Sequence, residues 1–182
     1  MPHLDSASEP WRSFLRELDE AVAEEVRLIC MGGFVVTQLY GFSRSTADID
    51  ALSIVPRDQA AIIRELGSRG GPLYTKHKVY LDFVAVACVP EDYEERLTEM
   101  YPQAFRRLRL FALDPYDLAL SKLDRNIQRD RDDVRFLART IPFDLEILQE
   151  RYRKELRWQL GNPAREDLTL KLWIEIIQED RK

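Results

Sequence analysis

Three apolar runs in this chain stop on residues that a strand interior does not hold, and together they set the outline of the fold. Leu28–Met31 ends at Gly32-Gly33, Asp48–Val55 ends at Pro56, and Val79–Val89 ends at Pro90. Short apolar runs bounded in this way read as strands. Around them the apolar spacing changes to three-to-four. Trp11, Phe14, Leu15, Leu18, Val22 and Val26 predict an amphipathic helix over 11–28. Phe34–Tyr40, closed by Gly41, and Arg57–Leu66 predict two more, the second followed by a glycine-rich break over Gly67–Pro72. Glu91–Met100 reads as helix, and Phe105–Ala112 as a strand in which arginine alternates with apolar residues. Asp114-Pro115 is a helix start, an N-cap acid with proline in the first turn. From there only helices follow, over 115–127, 130–140, 143–160 and 164–180, with Gly161-Asn162-Pro163 before the last. The pattern predicts an α/β (α+β) architecture: a small mixed sheet with flanking helices over 1–112, then a helical region over 113–182 packed on that core.

Composition narrows the function classes. The chain has 182 residues, 45% hydrophobic and 32% charged, an ordinary globular balance that excludes wholesale disorder. No window approaches the roughly 20 continuous apolar residues of a membrane helix. Met1–Arg12 is polar with charges of both signs, unlike a secretory signal. Cys30 and Cys88 lie in apolar runs and are expected as buried, reduced thiols, and the two histidines, His3 and His77, form no zinc-type spacing. These features predict a cytoplasmic protein without membrane partners. The net charge of -5 and pI of about 5.2 do not fit a nucleic-acid-coating protein. Arginines cluster late, however, at Arg106, Arg107, Arg109, Arg125, Arg129, Arg131, Arg135 and Arg139. They read either as a basic rim suited to RNA backbone or as helix-surface ion pairs.

Five groups of residues carry possible chemistry. Asp48-Ile49-Asp50 on a strand places two carboxylates on one face. They repel unless a cation lies between them, and Mg²⁺ takes one or two carboxylates plus substrate phosphates. Two solvent-facing acids on an edge strand are the plain alternative. Gly32-Gly33, between strand and helix, lets backbone approach a ligand and offers helix N–H groups to an anion, or is simply a turn. Asp82 is an isolated acid in an apolar strand, sharing a face with Tyr80, and needs a base, a hydrogen-bond network or a metal as partner. Lys122, in Asp117-Leu118-Ala119-Leu120-Ser121-Lys122, reads either as a helix lysine at the core boundary or as an exposed helix lysine. Arg129-Asp130-Arg131-Asp132-Asp133 reads as a solvated loop with Asp130 or Asp132 as a helix N-cap.

The order Gly32-Gly33, then Arg44-Ser45-Thr46-Ala47-Asp48-Ile49-Asp50, then a lone Asp82 on a later strand, resembles the DNA polymerase β-like nucleotidyltransferase superfamily. Gly33–Phe42 followed by Arg44 and Thr46 is similar to its minimal bacterial branch, which includes the AbiEii-like and MenT-like toxins. The resemblance covers roughly residues 28–140. Where many members carry Gly-Ser this chain has Gly32-Gly33, which leaves backbone N–H groups, with Ser43, Arg44, Ser45 or Thr46, to hold phosphate. The resemblance implies a nucleotidyltransferase fold and transfer of a nucleoside monophosphate from an NTP to an acceptor hydroxyl. It implies two Mg²⁺ ions, with Mn²⁺ as a substitute, held by Asp48, Asp50 and Asp82. Gly32, Gly33, Arg44 and Thr46 would bind the nucleotide, Lys122 would meet its phosphates, and Asp130 and Asp133 would help close the site. The implied acceptor is RNA, specifically tRNA, and the implied setting a toxin with a cognate antitoxin. A nucleotide- or partner-binding module without turnover is the alternative, which the presence of all three acids disfavours.

Overall fold

A computed structural model of the chain describes residues 6–182; His3 and the start of the polar Met1–Arg12 segment lie outside the described residues. Two compact units emerge. One comprises the residues up to Ala85 together with Leu97–Leu113, and the other comprises Val86–Arg96 with Asp114–Lys182.

The first unit is built on a five-stranded mixed sheet. Its strands are β1 (Val26–Met31), β2 (Asp48–Val55), β3 (Tyr80–Phe83), β4 (Thr98–Met100) and β5 (Leu108–Ala112), in the order β3-β2-β1-β5-β4. The β2–β3 and β1–β5 pairs are parallel, the β1–β2 and β4–β5 pairs antiparallel. Helices α1 (Trp11–Ala21), α2 (Gly32–Gln38), α3 (Ala60–Gly67) and α4 (Pro72–His77) complete the unit. This is the mixed sheet with flanking helices that the pattern predicted.

Helix α1 forms because Trp11, Phe14, Leu15 and Leu18 make one apolar stripe, and all four are buried. Full burial of each such side chain contributes about 1.5–3 kcal/mol. Trp11 packs edge-on against Phe14 and Phe34, with centroids 6.2 and 4.9 Å apart. The predicted 11–28 helix ends at Ala21. Val22 is extended, and Val26 and Leu28 pair with Leu108 and Leu110 of β5, so the same apolar spacing serves a strand from residue 26. Asp19, on the buried side of α1, accepts from the backbone N–H groups of Arg106, Arg107 and Leu108 at 3.1, 2.7 and 2.7 Å. One carboxylate thus ties the helix to the start of β5.

Two further expectations are corrected. The Val79–Val89 strand shrinks to Tyr80–Phe83, because β2 pairs with it only over Asp48–Ala51 and Val86 is 87% exposed. β-branched residues beyond Val84 have strand propensity but no ladder to join. The helix over Glu91–Met100 is instead a single 3₁₀ turn at Tyr93–Arg96 followed by β4, where Met100 is buried and opposite Leu110.

The second unit is helical: α5 (Pro115–Leu120), α6 (Gln128–Thr140), α7 (Leu145–Arg151) and α8 (Pro163–Asp180). Asp114 caps α5 as predicted, accepting from the N–H groups of Tyr116 and Asp117. The expected 143–160 helix runs as α7, a π turn at Tyr152–Leu156 and a 3₁₀ turn at Arg157–Gln159. Buried Asp117 is clamped by Arg96 and Arg151, and Arg96 also reaches Glu155. Burial pushes the Asp117 carboxyl up, against the pull of those arginines. Along α8, Trp173 and Ile177 are buried while Leu168 and Leu172 are exposed. Cys30 is buried and Cys88 only half-buried. Among the described residues no helix is long and apolar enough to cross a membrane.

Candidate functional site

The site grows from the register of two parallel strands. Asp48 lies opposite Tyr80 and Asp50 opposite Asp82. Alternation puts Asp48, Asp50, Tyr80 and Asp82 on one sheet face, while Ile49 and Leu81 are buried on the other. A bulge supports this arrangement. Cys30 pairs with Ala51 and Ile29 with Ser53, so Leu52 is the extra residue. The buried positions are odd-numbered before it (Ile49, Ala51) and even-numbered after it (Ile54), so the carboxylates keep the open face while the strand end returns to the core.

Each acid has a distinct setting. Thr46 donates its hydroxyl proton to Asp48 Oδ1 at 2.7 Å. Asp50 lies against Gly32, where a Cβ would come within 1.7 Å of Oδ2. Gly32 has φ +70°, a conformation that glycine adopts without the Cβ penalty. Asp82 is exposed. Gly33 is crowded differently: a Cβ there would lie 2.6 Å from an Arg44 guanidinium nitrogen. Arg44 therefore lies over the start of α2, its guanidinium carbon 5.8 Å from the Phe42 ring centroid. Gly32, Gly33, Arg44, Thr46, Asp48 and Asp50 are thus brought together around the β1–α2 turn and β2. Ser45 is exposed and its side chain makes no hydrogen bond among the described residues.

Sequence reasoning put Tyr80 on the right face but gave it no role. Its ring meets Tyr74 edge-on at 5.6 Å, and the Arg69 guanidinium lies 5.7 Å from its centroid. The phenol is pushed up by burial and by Asp48, with smaller effects of Asp82 and Asp50, while Arg69 opposes them. Burial, then Asp50, pushes the Cys30 thiol up, which keeps it protonated and unreactive.

Three carboxylates on one face supply the oxygen donors that a hard divalent cation prefers. Among the described residues no three His, Cys, Asp or Glu side chains are close enough together to hold an ion as they stand. The donor chemistry fits magnesium, which is satisfied by one or two carboxylates when substrate phosphates complete its shell.

The remaining predicted residues belong to the helical unit. Lys122 follows α5 in a turn and is only 4% exposed. Its Nζ donates to Asp133 at 2.8 Å and lies 3.7 Å from Asp130. Asp130 is also held by Arg125 at 2.9 and 2.6 Å and accepts from the Ile127 N–H at 3.1 Å. Burial would raise the Asp130 carboxyl, but Arg125 and Lys122 outweigh it and hold it below the ordinary value. The solvated loop expected over Arg129–Asp133 is instead the first turns of α6, with Ile127 as N-cap and Asp130 at the third position. Asp130 and Asp133, three apart on one helix face, both point inward to Lys122. Several of the late arginines are similarly engaged: Arg109 with Glu99, Arg125 with Asp130, and Arg135 and Arg139 with Asp180.

Nothing among curated proteins or solved structures matches the chain significantly. Residues 12–181 match a family described as nucleotidyltransferase of unknown function (DUF6036). That match spans both units and agrees with the mixed sheet and its flanking helices, and the chain accordingly belongs to this nucleotidyltransferase family.

Proposed function

We propose that the protein moves a nucleoside monophosphate from an NTP to an acceptor hydroxyl at the face formed by Asp48, Asp50 and Asp82. The observation that carries this reading is the β2–β3 register, which sets Asp82 beside Asp50 on the face that also holds Asp48. Asp48 and Asp50 would hold magnesium, and Asp82, beside them, would face the acceptor. Bound there, the ion would neutralise charge on the triphosphate and lower the cost of ionising the acceptor.

The chain's own residues do the rest by position and charge. Gly32 keeps backbone close to the Asp50 carboxylate, and Thr46 fixes one oxygen of Asp48. Arg44, at the β1–α2 turn, supplies positive charge for the phosphates. Asp82 takes the acceptor proton as the acceptor oxygen forms its bond to the α-phosphorus. The bond from that phosphorus to the bridging oxygen breaks, and pyrophosphate leaves with the electron pair. Lys122 is left out of this scheme, because its ammonium is engaged by Asp133 inside the helical unit.

The test incubates purified protein with each α-³²P-NTP, Mg²⁺ and total bacterial RNA, beside Asp48→Ala and Asp50→Ala. Label on RNA or on protein, lost with EDTA and in both variants, supports the reading and identifies the acceptor class. NTP binding without any transferred or released label supports a binding module instead.

A further inference from the structure

Tyr80 shares the face of the three carboxylates. It lies opposite Asp48 and two residues from Asp82 on the same face of β3, a spacing of about 7 Å. Its ring is held from two sides, by the edge of Tyr74 and by the Arg69 guanidinium. Its hydroxyl makes no hydrogen bond among the described residues, and it is within electrostatic reach of all three carboxylates. A side chain so fixed, with an unused donor, is preorganised for a ligand.

The chemistry of the face says which ligand atom it suits. Ionised carboxylates only accept hydrogen bonds, whereas a phenol can donate one. A phosphate oxygen only accepts and is repelled by the acids. A neutral hydroxyl both donates and accepts, so it complements a carboxylate and a phenol side by side. We propose that Tyr80 positions the acceptor: its O–H donates to one lone pair of the acceptor hydroxyl, whose proton is directed to Asp82. This rests on the transfer reading above and deepens it, since it makes the acceptor a neutral hydroxyl seated on β3.

Tyr80→Phe removes the donor and keeps the ring with both its neighbours. The assay counts, for each α-³²P-NTP with Mg²⁺ and total bacterial RNA and protein, the label joined to acceptor and the label released as free nucleoside monophosphate by water. Tyr80→Phe is expected to lower the ratio of transfer to hydrolysis about three- to tenfold, the worth of one net hydrogen bond, with KM for the NTP unchanged. Where hydrolysis is too slow to count, KM for the labelled acceptor rises by the same factor. A purely structural role would lower transfer and hydrolysis together. An active wild type with an unchanged ratio and acceptor KM in Tyr80→Phe overturns this assignment alone. A wild type that neither transfers nor releases label overturns the transfer reading, and this assignment with it.

Discussion

Replacing Gly32 by alanine separates a stability effect from a functional one. The new Cβ would sit 1.7 Å from Asp50 Oδ2, while ordinary contact begins near 3.4 Å, so the carboxylate must retreat by roughly 1.7 Å. The backbone adds its own cost, because φ is +70° and an L-residue there loses about 1–2 kcal/mol. For a chain of this length that lowers Tm by about 2–8 °C. Displacement of a reacting group by 1 Å costs about 10²-fold in rate, so transfer activity falls at least about 10²-fold. Gly33→Ala is the matched control for stability. Its Cβ would meet the far end of the Arg44 side chain, at 2.6 Å, and its φ is not positive, so it lacks the backbone cost of Gly32→Ala and its Tm should fall less. Scanning calorimetry and α-³²P transfer on both proteins decide the matter. A Gly32→Ala protein that melts lower but transfers normally would refute the reasoning, since Asp50 would then have moved without consequence.

Other expectations follow from the same contacts. Lys122→Met withdraws the cation from buried Asp133 and should cost roughly 3–5 kcal/mol in urea unfolding; unchanged stability with lost transfer would instead assign Lys122 to ligand. Asp19→Ala removes a charged acceptor from three backbone N–H groups and should cost at least about 3 kcal/mol, and a loss under about 1 kcal/mol would contradict the tie between α1 and β5. Asp130 is held below its ordinary value of 3.8, so its contribution is fully present above that value and disappears as pH falls through the lowered one. Thermal unfolding from about pH 4 downward should therefore lose stability more steeply for wild type than for Asp130→Asn, and parallel slopes would count against that ion pair.

What could be read in advance depended on how local its cause was. β2 runs from Asp48 to Val55 as expected, because alternation and Pro56 are local signals. The glycine turn was also legible, but not the close contact of Gly32 with Asp50, which meets it from β2. Strand length at the sheet edge was illegible, because β3 and β4 extend only as far as β2 and β5 offer partners. The helix expected over Glu91–Met100 gives way in part to a three-residue edge strand. The bulge at Leu52 leaves no mark in composition. Lys122, Asp130 and Asp133 were singled out as a site, yet their burial together depends on a turn between α5 and α6 that spacing alone does not reveal. Tyr80 lay on the expected face, and only the register with Asp48 gave it significance.

The central claim, nucleotidyl transfer at the Asp48–Asp50–Asp82 face, is tested most directly by following two labels in parallel reactions with one NTP. With α-³²P the account predicts label covalently joined to an acceptor. With γ-³²P it predicts label only in pyrophosphate, and Asp50→Asn should abolish both. Label from γ-³²P on the acceptor, or release of orthophosphate in place of pyrophosphate, would contradict it.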